Sequence, residues 1–96
     1  MPRAKKTRRS QEQVLPKEVF AQEIARILEE EGLTQTEAAF RAKDAPSQIS
    51  LVVSGKLNGF SSERLVRLLV NLGRDVEIGI RKTRGDATGK VRVSVK

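Results

Sequence analysis

Residues 33–54 read LTQTEAAFRAKDAPSQISLVVS, and the organisation of the chain follows from this stretch. Thr34 and Glu37 have the spacing of a reciprocal helix cap, in which hydroxyl and carboxylate each serve the other residue's backbone amide, and Leu33 is placed to staple onto Ala38. A short helix over Gln35–Ala42 follows, with Ala38, Ala39 and Ala42 small enough to let another helix approach closely. Lys43-Asp44-Ala45 breaks it. Pro46 has a preset φ and no amide proton to lose, so it suits the first position of a further helix carrying Ile49, Val52 and Val53 inward. Gly55 ends that helix.

Working outward, Pro16 opens a longer helical pattern in which Val19, Phe20, Ile24, Ile27 and Leu28 recur at three- and four-residue spacing. Glu29-Glu30-Glu31 and Gly32 close it, with Gly32 free to take the left-handed cap. Three carboxylates at a helix C-terminus oppose the macrodipole, which asks for something basic to dock there. Downstream, Lys56-Leu57-Asn58-Gly59 is a turn, Phe60 precedes a Ser61 cap and can staple to Leu65, and Leu65, Leu68, Leu69 and Leu72 form a fourth helix stopped by Gly73. The period then falls to two. Val76, Ile78 and Ile80 alternate with polar residues or glycine, as do Val91, Val93 and Val95, and Gly85-Asp86 between them fits a two-residue hairpin turn. In that register Ile80 faces Val91, Ile78 faces Val93 and Val76 faces Val95, all on one face. A lone ribbon is marginal in water, so a second copy of the chain is the economical cover.

Composition narrows the chemistry. The 96 residues carry 19 Lys+Arg against 12 Asp+Glu and contain no His, Cys, Trp or Tyr. That inventory leaves no thiol nucleophile, no Ser–His pair, no disulfide and no zinc site of the usual kind. The expectation is a non-enzymatic protein with no metal or cofactor. No apolar run approaches the roughly 20 residues of a membrane span, and the basic N-terminus has no apolar stretch behind it, so a soluble, cytoplasmic chain is expected. The positive charge belongs to the ends: Arg3, Lys5, Lys6, Arg8 and Arg9 stand without an acid in residues 1–10, and residues 81–96 hold six bases against Asp86. A basic arm of this kind binds polyanions by counterion release or stays as a disordered, solubilising leader. The expected division is a flexible basic arm (1–13), a helical domain (14–74) and a dimerising C-terminal hairpin (75–96).

The two short helices with their tight break have the size of a helix-turn-helix, in which the second helix lies in the major groove of DNA. Ser47, Gln48, Ser50 and Ser54 form the polar outer positions, with Gln able to read adenine and Ser able to bond base edges or phosphates. The same residues also fit an ordinary helical hairpin with a polar outer face. Two other signals fall away. Gly85–Lys90 has three residues between its glycines and then a strand, where a phosphate-binding loop needs four and then a helix. Consecutive Glu29-Glu30-Glu31 point around a helix rather than at one cation.

The series GLTQTEAA, PSQIS, VSGK and FSSERLVRLLVNLGRDVEIGIR resembles the Xre/Cro-type helix-turn-helix family, and more narrowly its HigA-like antitoxin branch, whose members end in an LGxDVEI strand. The similarity spans roughly residues 15–82 without insertion or deletion. It implies a mainly α, lambda-repressor-like four-helix domain with a C-terminal β-strand or hairpin, acting as a homodimer on a palindromic double-stranded DNA operator. By position it places Gln35 at the cap of the first motif helix near a phosphate, Ser47, Gln48, Ser50 and Ser54 toward the groove, and Lys56 and Asn58 at backbone contacts just after it. Arg41 and Lys43, with Arg3, Lys5, Lys6, Arg8 and Arg9 of the arm, are the candidate phosphate contacts. The implied function is an autoregulating repressor that serves as antitoxin to a small basic RelE-like toxin. The alternatives are a stand-alone Xre-type regulator and a protein-interaction module that keeps the fold without binding DNA.

The chain departs from the family where the turn glycine and the apolar residue after it are replaced by Lys43 and Asp44. Lys43 then needs a left-handed backbone, at about 1 kcal/mol for a non-glycine residue, unless the turn is built differently. Asp44 is placed to cap the helix beginning at Pro46.

Overall fold

The computed structural model describes residues 15–85 and 87–96. Among these residues four helices carry the fold: α1 (Lys17–Glu31), α2 (Gln35–Ala42), α3 (Pro46–Val53) and α4 (Ser62–Asn71). Pro16 is the residue before the first helical turn of α1, one position earlier than its preset φ suggests, and its carbonyl accepts the Val19 amide at 3.0 Å. The apolar stripe of α1 buries Phe20, Ala21, Ile24, Ile27 and Leu28. It packs on α3 and α4, and α2 packs on the same two helices. Ile24, Ile27, Ile49, Val52 and Leu65 are the largest side chains sealed from solvent.

All four helices stop in one way. An amide two or three residues past the helix end reaches back to a carbonyl five residues earlier: Leu33 to Leu28 (2.8 Å), Asp44 to Ala39 (2.9 Å), Lys56 to Leu51 (2.9 Å) and Arg74 to Leu69 (3.0 Å). Each such closure needs one left-handed residue. Glycine supplies it at 32, 55 and 73, and Lys43 supplies it after α2 with φ 59° and ψ 46°. Lys43 is the one non-glycine residue with positive φ among the described residues. The turn between α2 and α3 therefore keeps the ordinary geometry and carries the strain of a side chain.

The starts differ. Thr34 Oγ1 accepts the Glu37 amide at 3.0 Å while Glu37 Oε1 accepts the Thr34 amide at 2.8 Å, completing the reciprocal cap of α2. Ser61 caps α4 by accepting the Arg64 amide at 3.1 Å, and Phe60 and Leu65 on either side of that cap are both buried. α3 has Ala45 at its cap and no side-chain hydrogen bond there, which corrects the expectation that Asp44 caps it. The one backbone amide that Asp44 Oδ1 accepts is the next one, Ala45 N, at 2.8 Å, and the carboxylate turns toward α4, where Arg64 reaches both its oxygens. From α4, Asn71 Nδ2 donates to the Ala42 carbonyl at 2.9 Å, pinning the end of α2.

The acidic end of α1 has an internal explanation. Glu31 takes Arg41 Nη1 at 3.0 Å on one oxygen and Arg74 Nη1 at 3.2 Å on the other, and Arg26 pairs with both Glu23 and Glu30. The basic groups that the macrodipole demands come from α2 and from Arg74, three residues past the end of α4.

The C-terminal hairpin is a correction. Among the described residues no strand forms, and the chain beyond Gly73 is irregular. Gly85 is left-handed at φ 59°, as a tight turn requires, but its turn partner Asp86 lies outside the described residues. The six apolar residues do not share one face. Val76 and Val93 lean on the helical core, while Ile78 and Ile80 are 75% and 96% exposed. An isolated two-stranded ribbon is marginal in water, and the small helical core offers room for two valines and no cover for the isoleucines.

Candidate nucleic-acid interface

Burial decides which side of α3 is available. Ile49 and Val52 point into the core. A helix of 3.6 residues per turn then puts Ser47, Ser50, Leu51 and Ser54, spaced i, i+3, i+4 and i+7, on the opposite side. Ser47 and Ser54 are exposed, Ser50 is half-buried, and Leu51 is exposed despite its size. Three serines and one leucine make a low, uncharged ridge.

Gln48 does not belong to that ridge. It is half-buried, and its Oε1 accepts Arg64 Nη2 from α4 at 3.2 Å. A guanidinium only donates, so the amide must turn its carbonyl oxygen inward and leave its NH2 group for outside partners. The same Arg64 nitrogen reaches Asp44 Oδ2 at 2.9 Å and Oδ1 at 3.2 Å, while the guanidinium carbon lies 4.5 Å above the centre of the Phe60 ring. One arginine thus ties the turn, the start of α3 and the start of α4 together.

The basic groups flank the ridge. Lys43 in the turn before α3 and Lys56 just after it are exposed, as is Asn58 in the following loop. Gln35 is exposed as the first residue of α2, with Thr34 providing the cap itself. Arg41 is paired with Glu31, so reaching a phosphate would mean giving up that ion pair. Arg3, Lys5, Lys6, Arg8 and Arg9 lie outside the described residues. The carboxyl of Glu37 is held below its ordinary pKa, first by the Thr34 backbone amide, then by the Thr34 hydroxyl, with a smaller contribution from Arg41. That charge favours the positive N-terminus of α2.

Sequence reading passed over two residues here. Leu51 was open to detection, because it lies four residues from Ser47 and three from Ser54 on the same face. Arg64 was not, since its partners are 16 and 20 positions away and nothing local marks it.

A family model described as "Helix-turn-helix domain" matches residues 7–81. A solved structure described as "Putative XRE Family Transcriptional Regulator" superposes with a TM-score of 0.74 at 36% identity, covering 80% of this chain and 88% of that one. No curated protein matches the chain. Four helices with α2 and α3 as the motif pair define the class: this is a helix-turn-helix protein. Within that class the chain belongs to the Xre-type family. No helix among the described residues is long and apolar enough to cross a membrane.

Proposed function

We propose that the chain is a sequence-specific DNA-binding transcriptional repressor that acts as a homodimer on a palindromic operator. The observation that carries this reading is the outward side of α3, the second helix of the motif. Among the described residues its serines make no side-chain hydrogen bond, and exposed lysines stand at both ends where phosphate strands would pass. In the bound state Ser47, Ser50 and Ser54 meet base edges or phosphates, the NH2 group of Gln48 donates at the groove margin, and Gln35, Lys43, Lys56 and Asn58 hold the backbone. A formal charge of +7 adds long-range attraction.

Dimerisation is supported by Ile78 and Ile80, neighbouring large aliphatic side chains that a single chain leaves exposed. Pairing the C-terminal segments of two copies would cover them. The antitoxin role is supported by the LGRDVEI ending of the resemblance. Because Glu31 is already neutralised by Arg41 and Arg74, a basic toxin would meet Glu29 rather than the whole acidic triplet.

The test is a gel shift on the DNA upstream of the chain's own gene. The expected result is a complex whose affinity falls steeply with salt, with two protected half-sites about 34–36 Å apart. Equal affinity for an unrelated duplex would overturn the reading. Co-purification with the product of the adjacent reading frame tests the antitoxin role separately.

A further inference from the structure

Resting on the DNA-binding reading above, we propose that Leu51 selects thymine in the operator by packing on the base's 5-methyl group. Leu51 is 37% exposed and lies on the outward side of α3, between Ser47 and Ser54 one turn to either side. It is not a core residue that has slipped outward, because Ile49 and Val52 fill the inward positions of the same helix at 0% and 1% exposure. The other side chains of that face are serines, and Gln48 has its carbonyl oxygen committed to Arg64. No charged side chain stands anywhere on α3.

Seated in a major groove, this ridge would lose its water. Each serine can then trade water for a base-edge or phosphate hydrogen bond, but Leu51 can make no such exchange. Major-groove edges present donors and acceptors throughout, and their one apolar feature is the thymine methyl. A leucine pressed against a guanine or adenine edge would leave polar atoms desolvated and unpaired, which disfavours those bases at that step. The selectivity of a helix without Arg, Lys or a freely turning amide therefore rests on an apolar contact together with short hydroxyl bonds.

The experiment starts from a pool of duplexes with about 20 randomised base pairs, room for two half-sites one helical turn apart. Selection with the wild-type chain is expected to enrich sites with a fixed thymine in each half. Replacing that thymine by deoxyuridine removes only the methyl, and affinity is expected to fall about fourfold per half-site, the factor for one buried methyl-sized group. Leu51→Ala should bind the thymine duplex more weakly and become indifferent to the deoxyuridine exchange, and Leu51→Met should restore the discrimination. Unchanged wild-type affinity for deoxyuridine at every thymine would overturn the assignment of Leu51. A pool that yields no enriched sequence would overturn the DNA-binding reading itself, and the Leu51 role with it.

Discussion

Arg64 is the residue whose removal the structure allows to be worked through most fully. Its Nη2 reaches both oxygens of Asp44, at 2.9 and 3.2 Å, and the Gln48 carbonyl oxygen at 3.2 Å, with the guanidinium stacked over Phe60. The Arg64 and Asp44 side chains are 33% and 17% exposed, so the pair lies between the surface and interior limits. A fully exposed ion pair contributes about 0–1 kcal/mol, and a hydrogen bond to a charged group about 1.5–3 kcal/mol. With one nitrogen shared among three acceptors and solvent partly present, the Arg64–Asp44 coupling comes to about 1–1.5 kcal/mol. Arg64→Ala also loses the Gln48 bond and the cation over Phe60, so the whole substitution costs about 2–3 kcal/mol. Asp44→Ala alone costs less, since Arg64 keeps Gln48 and the ring. The assay is a double-mutant cycle of Asp44→Ala and Arg64→Ala by urea denaturation, which isolates the pairwise coupling. A coupling within about 0.3 kcal/mol of zero, or an Asp44→Ala cost equal to that of Arg64→Ala, would refute the reasoning.

Three further outcomes are expected. Thr34→Ala removes half of the reciprocal cap and lowers stability by about 1 kcal/mol; by NMR titration the Glu37 carboxyl should move back up toward its ordinary value. In the wild type that carboxyl is depressed on folding, so its contribution is present above the unfolded pKa, about 4.3 for Glu, and is lost as pH falls through the folded value. Lys43→Gly relieves the left-handed strain and should stabilise the fold by up to about 1 kcal/mol, while its lost charge weakens DNA binding; thermal melting and anisotropy on one sample check both signs. Ile80→Asp, at a side chain 96% exposed in the single chain, should leave helical melting unchanged and shift sedimentation from dimer to monomer.

The helical architecture was legible because its determinants are local. The Thr34–Glu37 cap spans four residues, the Phe60–Leu65 staple six, and the left-handed requirement at residue 43 follows from position in the turn. Interactions across the fold were not legible. Nothing near Gln48 in the chain announces Arg64, so a polar residue beside the outward side of α3 reads as outward when its carbonyl is turned inward. The acidic end of α1 reads as an invitation to a basic partner because Arg41 and Arg74 come from other segments. The C-terminal alternation is real as a pattern, yet pattern alone does not supply a surface to cover Ile78 and Ile80, and no ladder forms among the described residues.

The central claim is that the side of α3 bearing Ser47, Ser50, Leu51 and Ser54 is the surface that meets DNA. Titrating isotope-labelled protein with the duplex from upstream of its gene, and following the backbone amide resonances, tests it most directly. The account predicts the largest shifts at Ser47, Ser50, Leu51, Ser54 and Lys56, with the mid-helix amides of α1 at Ile24 and Ile27 unmoved. Shifts concentrated on α1 or on the C-terminal segment, with α3 silent, would contradict it.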